Sequence, residues 1–183
     1  MANELKAMVV RARMASEYDG TLRVFVKITS DVENGTVFKI GELVEGEREI
    51  YTYANAVAGT DKVGKGHSIV GHLALMTTPE VVADPRVDDL LGFINKADTI
   101  GTMDILRPGD YFEVTAEAFV NKGTDAAQID TNKYATTTAG GKITLASAET
   151  NAFAVYVGKR NKFYGFRVLE PADAAAAAAD VGE

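Results

Sequence analysis

Two segments of alternating apolar residues constrain the fold of this 183-residue chain more than any other feature. From Leu22 to Thr29 an apolar residue occupies every second position, and the same period recurs from Tyr111 to Val120. In a β-strand this period directs one set of side chains to a buried face and the other set to the opposite face. Both segments therefore predict strands with one face against a core, and the predicted fold class is mainly β.

Turn signals separate these strands from further β-type segments. Asn34-Gly35 accepts positive φ angles, so we expect a hairpin that joins the first strand to Val37–Ile40. Arg107-Pro108-Gly109-Asp110 has the composition of a tight turn leading into the second strand. Polar loops are expected at 54–66 and 121–138. Further strands are expected at 49–53, 142–146, 153–157 and 163–169, the last two as a hairpin with a basic tip at 158–162.

The spacing of apolar residues from about Asp84 to Lys96 predicts one short helix. Asp84 is a favourable N-cap, and Pro85 suits the first helical turn. The apolar residues at helical i, i+3, i+4, i+7 spacing are Val87, Leu90, Leu91 and Ile94.

The segment after Glu170 differs in composition from the rest of the chain. It contains six consecutive alanines with acidic flanks, which favours a helix but offers no apolar face that would dock on a core. We therefore expect a single β-rich domain over residues 1–170, built as an antiparallel barrel or sandwich. A flexible acidic and alanine-rich tail is expected over residues 171–183.

The charge of the chain argues against nucleic-acid and membrane partners. Its 26 acidic and 19 basic residues give a formal net charge of −7, which repels phosphate backbones and anionic lipid. No stretch approaches the roughly 18 apolar residues of a membrane-spanning helix, and residues 1–19 do not resemble a signal peptide. The chain has no cysteine, so disulfides and thiolate chemistry are excluded. We expect synthesis in a cytoplasm.

Motifs for nucleotide or metal binding are incomplete. Gly59–Lys65 matches the first seven positions of a phosphate-binding P-loop, but Gly66 stands where Mg²⁺ requires a hydroxyl. His67 and His72 are five residues apart, which places them on opposite faces of a strand. Asp31–Gly35 lacks the spacing of a calcium-binding EF-hand loop. We therefore expect no metal ion and no cofactor.

The remaining polar residues do not assemble a catalytic group. Glu113 and Glu117 would share one face of a strand about 13 Å apart, too far for a glycosidase pair, and we expect that face to be solvated. The serines lack a nucleophile elbow. Lys159, Arg160 and Lys162 could contact nucleic acid or, more consistently with the overall charge, an acidic protein surface. The sequence thus predicts no catalytic residues and a protein that is not an enzyme.

Four polar and β-type segments stand out together: Asn34–Phe38, Ile40–Leu43, Glu49–Tyr51 and Asp104–Phe112. They resemble segments of small structural proteins encoded beside the major capsid gene of tailed bacteriophages. The resemblance spans about Leu22 to Leu169 and contains no motif that assigns binding residues. It implies a capsid decoration, or cement, protein: a homo-oligomer, such as a trimer, that binds the major capsid protein on the outside of the virion and stabilises capsomer junctions.

Two other functions fit the same pattern. A tail-tube protein would also be β-rich with one helix, but it would polymerise into hollow rings. A small-molecule or carbohydrate-binding β-domain would use the 59–66 loop and exposed aromatic residues as a ligand wall. For a decoration protein, the loops at 59–66 and 121–138 are the expected contact surface.

Overall fold

The computed structural model describes residues 5–57, 63, 69–79 and 92–170. Within these ranges the chain is mainly β, which confirms the fold class read from the alternating segments. In chain order the elements are β1 (Val9–Arg13), β2 (Arg23–Lys27), β3 (Val37–Leu43), β4 (Ile50–Asn55), β5 (Leu73–Met76), β6 (Ile100–Ile105), β7 (Tyr111–Thr115), α1 (Lys122–Gln128), β8 (Tyr134–Thr137), β9 (Ile143–Ala146), β10 (Ala154–Arg160) and β11 (Phe163–Val168).

Five strands close into a barrel in the order β2, β4, β3, β5, β6. Strands β2 and β4 are parallel, whereas the other neighbouring pairs are antiparallel. The alternating residues Val24 and Val26 of β2 lie in the barrel core with Phe38, Ile40 and Met103. The alternation in this segment therefore predicts both the strand and its buried face.

The other six strands form a second sheet in the order β1, β7, β11, β10, β8, β9, with antiparallel pairing throughout. This sheet covers part of the barrel. Leu73 and Leu75 on β5 and Val37 on β3 belong to the same apolar cluster as Phe112 and Phe166 of the second sheet. The other two residues of β5, Ala74 and Met76, face the barrel core. Both faces of this strand are therefore covered, and it is buried along its whole length.

The turn at Arg107–Asp110 and the hairpin of β10 and β11 are as predicted, except that residues 158–160 of the expected tip belong to strand β10. The amide of Asp110 donates to the carbonyl of Arg107 at 3.1 Å, which closes the turn before β7. Strands β10 and β11 pair from Ala154 opposite Val168 to Arg160 opposite Phe163. Local turn chemistry was therefore sufficient for these two features.

The hairpin expected at Asn34-Gly35 is wrong, because this pair lies at the junction of the barrel and the second sheet. Strand β2 pairs with β4 and β6, and not with β3. The buried side chain of Asn34 donates to the carbonyl of Thr78 at 2.9 Å and accepts from the side-chain amide of Asn95 at 3.1 Å. Gly35 has a φ of +76°, and a Cβ there would lie 3.1 Å from Cγ1 of Val114. The glycine therefore permits close approach of two layers.

The second alternating segment is a strand only over its first half. Strand β7 is followed by a 3₁₀ turn at Ala116–Ala118, in which the amide of Phe119 donates to the carbonyl of Ala116 at 3.1 Å. After this turn the buried and exposed positions change places. The alternation predicts a buried Val120 and an exposed Phe119, but Phe119 is buried and Val120 is exposed. A period-two pattern assumes an extended backbone throughout, so it could not predict this reversal.

Two other predictions for local structure need correction or fall outside the described residues. The helix expected at 84–96 lies mostly outside them, and the tail at 171–183 lies entirely outside them. Residues 92–96 are described and do not form an α-helix, because Asn95 pairs with Val32 in a β-bridge.

The segment 121–138, expected to be a loop, instead contains α1 and β8. The threonines of this segment suit the strand that they form.

Candidate interaction surfaces

An exposed apolar surface lies on the outside of the barrel, on strands β2, β4 and β6. Phe25 of β2 is directly paired with Ile50 of β4, and Ile100 of β6 lies on the diagonal from Phe25. Phe25 is 47% exposed and Ile100 is 48% exposed. With residues 46–49 of the turn between β3 and β4, they line a cleft of about 500 Å³, which we call the Phe25 cleft.

The Phe25 cleft has an acidic turn on one side. Glu47, Arg48 and Glu49 line it, and the whole segment 42–49 contains four glutamates and one arginine, a net charge of −3. Of these charged residues, the three that line the cleft have a net charge of −1, and Lys27 pairs with Ile100 of the cleft across β2 and β6. Within the described part of the chain, none of the four glutamates forms an ion pair. Their charge is therefore available to a cationic partner.

Sequence reasoning missed this cleft, although one signal was present. In the alternation of β2, Phe25 occupies the phase shared with Arg23, Lys27 and Thr29. A large aromatic residue among polar ones on the outward face of a strand is the kind of exposed apolar residue that marks an interaction surface. Its neighbours on β4 and β6 could not be named, because they depend on the strand order of the barrel.

A second cleft, of about 240 Å³, lies between the first described residues and the β10–β11 hairpin. Its lining includes Lys6, Lys159 and Lys162, with Glu117 as its acidic residue and Tyr164 as its aromatic one. We call it the lysine cleft. It contains two of the three basic residues of the predicted tip. It also contains residues from the start of the chain: Nζ of Lys162 lies 3.5 Å from Sδ of Met8.

The sequence matches no protein-family model, and neither a curated protein nor a solved structure shows significant similarity to it. In the described ranges, no group of three histidine or carboxylate side chains is placed to hold a metal ion. The helices described there include none that is long and apolar enough to cross a membrane.

Glu113 is buried, so the prediction that it lies on a solvated face is wrong. Its carboxylate accepts a hydrogen bond from the hydroxyl of Tyr111 at 3.0 Å and pairs with Nη2 of Arg160 at 3.0 Å. Burial and the hydrogen bond to this carboxylate raise the pKa of Tyr111, so the phenol remains a donor at neutral pH. Glu117 lies in the 3₁₀ turn. Arg160 is therefore engaged with its own sheet rather than with a partner.

Two further buried carboxylates link the barrel to the segments around it. Asp104 of β6 pairs with Nε of Arg23 on β2 at 2.9 Å and with Nη1 of Arg11 on β1 at 3.5 Å. Asp110 accepts hydrogen bonds from the amides of Ala15 and Arg107, both at 2.8 Å. Burial raises the pKa of Asp110, and the two amides oppose that shift. The two amides satisfy Asp110, and Arg23 satisfies Oδ1 of Asp104. Oδ2 of Asp104 accepts no hydrogen bond among the described residues and has only the longer ion pair with Arg11.

The other residues singled out from the sequence do not meet in one site. The P-loop-like segment and His67 lie outside the described residues, except Val63, which is buried in the cluster between barrel and second sheet. His72 is buried just before β5. Asp31 pairs with Nζ of Lys96 at 2.9 Å and accepts a hydrogen bond from the amide of Ala97 at 3.0 Å. Its carboxylate therefore links the loop after β2 to the loop before β6.

Proposed function

We propose that this protein is a non-enzymatic virion structural protein, a decoration protein that binds the outside of a tailed-bacteriophage capsid. The Phe25 cleft is the observation that supports this function most directly. Val37 and Leu75 also project from the outside of the barrel, but the second sheet buries them completely, whereas Phe25 and Ile100 remain about half exposed. A contiguous apolar surface left open on a folded module is typical of a protein interaction site.

The resemblance to decoration proteins supplies the class of partner, the major capsid protein. A decoration protein must bury one surface against the shell and present the rest to solvent. The two glutamates that line the cleft beside its apolar floor favour a shell surface with basic residues next to an apolar side chain. In this proposal the protein is made in the host cytoplasm, forms a small closed oligomer such as a trimer, and ends on the virion surface.

Binding to empty shells of candidate tailed phages, measured by co-sedimentation, tests this function. Phe25→Ser should weaken binding by about tenfold or more, because a central aromatic residue commonly dominates an interface. Val157→Ser is the matched control: Val157 is an apolar strand residue of similar exposure, 48%, on the second sheet. This control should leave shell binding unchanged, and thermal unfolding should show that both variants are folded.

Three results would contradict the proposal. Equal loss of binding in the two variants would mean that the Phe25 cleft is not the contact. Polymerisation of the purified protein into hollow tubes would identify a tail-tube protein instead. A protein that neither binds shells nor assembles would fail the structural proposal as a whole, and the ligand-binding β-domain would then be tested with a ligand screen.

A further inference from the structure

We propose that the lysine cleft is a second binding site, which takes an acidic peptide segment whose carboxylates pair with Lys159 and Lys162. The site lies on the second sheet and shares no lining residue with the Phe25 cleft. Binding there therefore does not depend on whether the Phe25 cleft contacts a shell. A protein with both sites could join two different surfaces.

Lys159 and Lys162 are cations without an acidic partner among the described residues. Acidic residues outnumber basic ones in the chain by 26 to 19, yet neither Lys159 nor Lys162 forms an ion pair in the part of the chain that the structure describes. Nearby Lys142 differs: it pairs with Glu33 at 3.6 Å and donates to the backbone carbonyl of Glu117 at 3.0 Å. Within the described residues, the charge of Lys142 is thus balanced by an acidic side chain, whereas the charges of Lys159 and Lys162 are not.

Neighbouring side chains contact the two ammonium groups. Nζ of Lys159 lies 4.6 Å from the ring centroid of Tyr164, and Nζ of Lys162 lies 5.6 Å from that of Phe163. Lys162 also contacts Sδ of Met8 at 3.5 Å. The hydrogen bond with Tyr164 raises the pKa of Lys159, so this ammonium stays charged at neutral pH. Side chains that are already positioned lose less conformational entropy when a ligand binds.

The lining of the cleft favours a peptide over a nucleic acid. Tyr164 is buried and carries Lys159 over its ring, so it offers no open face on which a base could stack. Leu5, Met8 and Ala116 add apolar surface, which can contact the side chains of an amphipathic segment. The net charge of −7 also repels a long polyanion, whereas a short segment with a few carboxylates experiences mainly the local lysines.

The test is the binding of a fluorescent peptide in which glutamate alternates with leucine, measured by anisotropy with the full chain at low salt. The double substitution Lys159→Gln with Lys162→Gln should weaken binding by about tenfold or more, and added salt should weaken binding to the wild type. The same peptide with glutamine in place of glutamate should not bind. Lys133→Gln is the matched control, because Lys133 also lies over a tyrosine ring, 5.5 Å from that of Tyr134, and it should leave binding unchanged.

A second measurement guards against a folding defect in the double variant. In the wild type, the glutamate peptide should shift the amide NMR signals of Thr115 and Ala116, which line the cleft. The proposal is overturned if the wild type shows no binding at about 1 mM peptide, or if the double substitution changes nothing. It is also overturned if single-stranded oligodeoxythymidine binds more tightly than the peptide and the same substitutions abolish that binding, since the cleft would then be a nucleic-acid site.

Discussion

Replacing Gly35 by alanine places a methyl group in the junction between the barrel and the second sheet. The new Cβ would lie 3.1 Å from Cγ1 of Val114 and 3.5 Å from Cβ of Ala118. The first distance is shorter than ordinary van der Waals contact, so Val114 must move within a closely packed core. The φ of +76° at this position adds a backbone cost of about 1–2 kcal/mol for an L-residue.

Gly46→Ala separates these two contributions. Gly46 has a similar φ of +83°, but no atom lies within 4 Å of the position that its Cβ would take. Its substitution should therefore lower the free energy of unfolding by the backbone cost alone, about 1–2 kcal/mol. Gly35→Ala should cost about 1–3 kcal/mol more, the usual effect of overpacking a core, for a total of about 2–5 kcal/mol.

Thermal unfolding followed by circular dichroism measures both variants. A loss of 1 kcal/mol lowers the Tm of a domain of this size by about 2–4 °C, so we expect a decrease of about 4–20 °C for Gly35→Ala and about 2–8 °C for Gly46→Ala. Urea unfolding should give the same order of stability. Equal effects of the two substitutions would refute the buried junction, because Gly35 would then behave as part of an open turn.

Three further substitutions test the buried and exposed charges. Because burial raises the pKa of Asp110, the stability of the wild type relative to Asp110→Asn should be greatest at low pH and fall as pH rises through that raised pKa. Asp31→Asn should show the opposite trend, because a hydrogen bond from Lys96 lowers the pKa of Asp31: the advantage of the wild type should be present at neutral pH and be lost as pH falls through the lowered pKa. Thermal unfolding from acid to neutral pH checks both, and matching trends would contradict the assigned environments. Arg160→Ala should lower the unfolding free energy in urea by about 1–3 kcal/mol although Arg160 is exposed, because it leaves buried Glu113 short of a partner; a change near zero would contradict that role.

The sequence was most informative where a residue's structure depends on its neighbours along the chain. The alternation of Val24 and Val26 predicts a strand with one buried face, and the β10–β11 hairpin follows from apolar segments on either side of a polar segment. Both features arise from local backbone preferences and a simple inside-outside pattern. The mainly β fold class could therefore be predicted without knowledge of the strand order.

The features that depend on long-range packing could not be predicted. Asn34-Gly35 has the composition of a hairpin turn, but contacts with Thr78 and Val114 determine where it lies. Glu113 occupies the polar phase of its strand, yet it is buried and pairs with Arg160 of β10, which lies two strands away in the sheet. Both candidate clefts have the same origin, since each combines residues that only the strand order brings together.

The central claim is that the Phe25 cleft attaches this protein to a shell, and cryo-electron microscopy of empty capsids mixed with the purified protein tests it most directly. We predict density for the protein at fixed positions on the outside of the capsid, with Phe25 and Ile100 facing the shell and largely removed from solvent. Density that places these two side chains toward solvent, with the second sheet against the capsid, would contradict the claim.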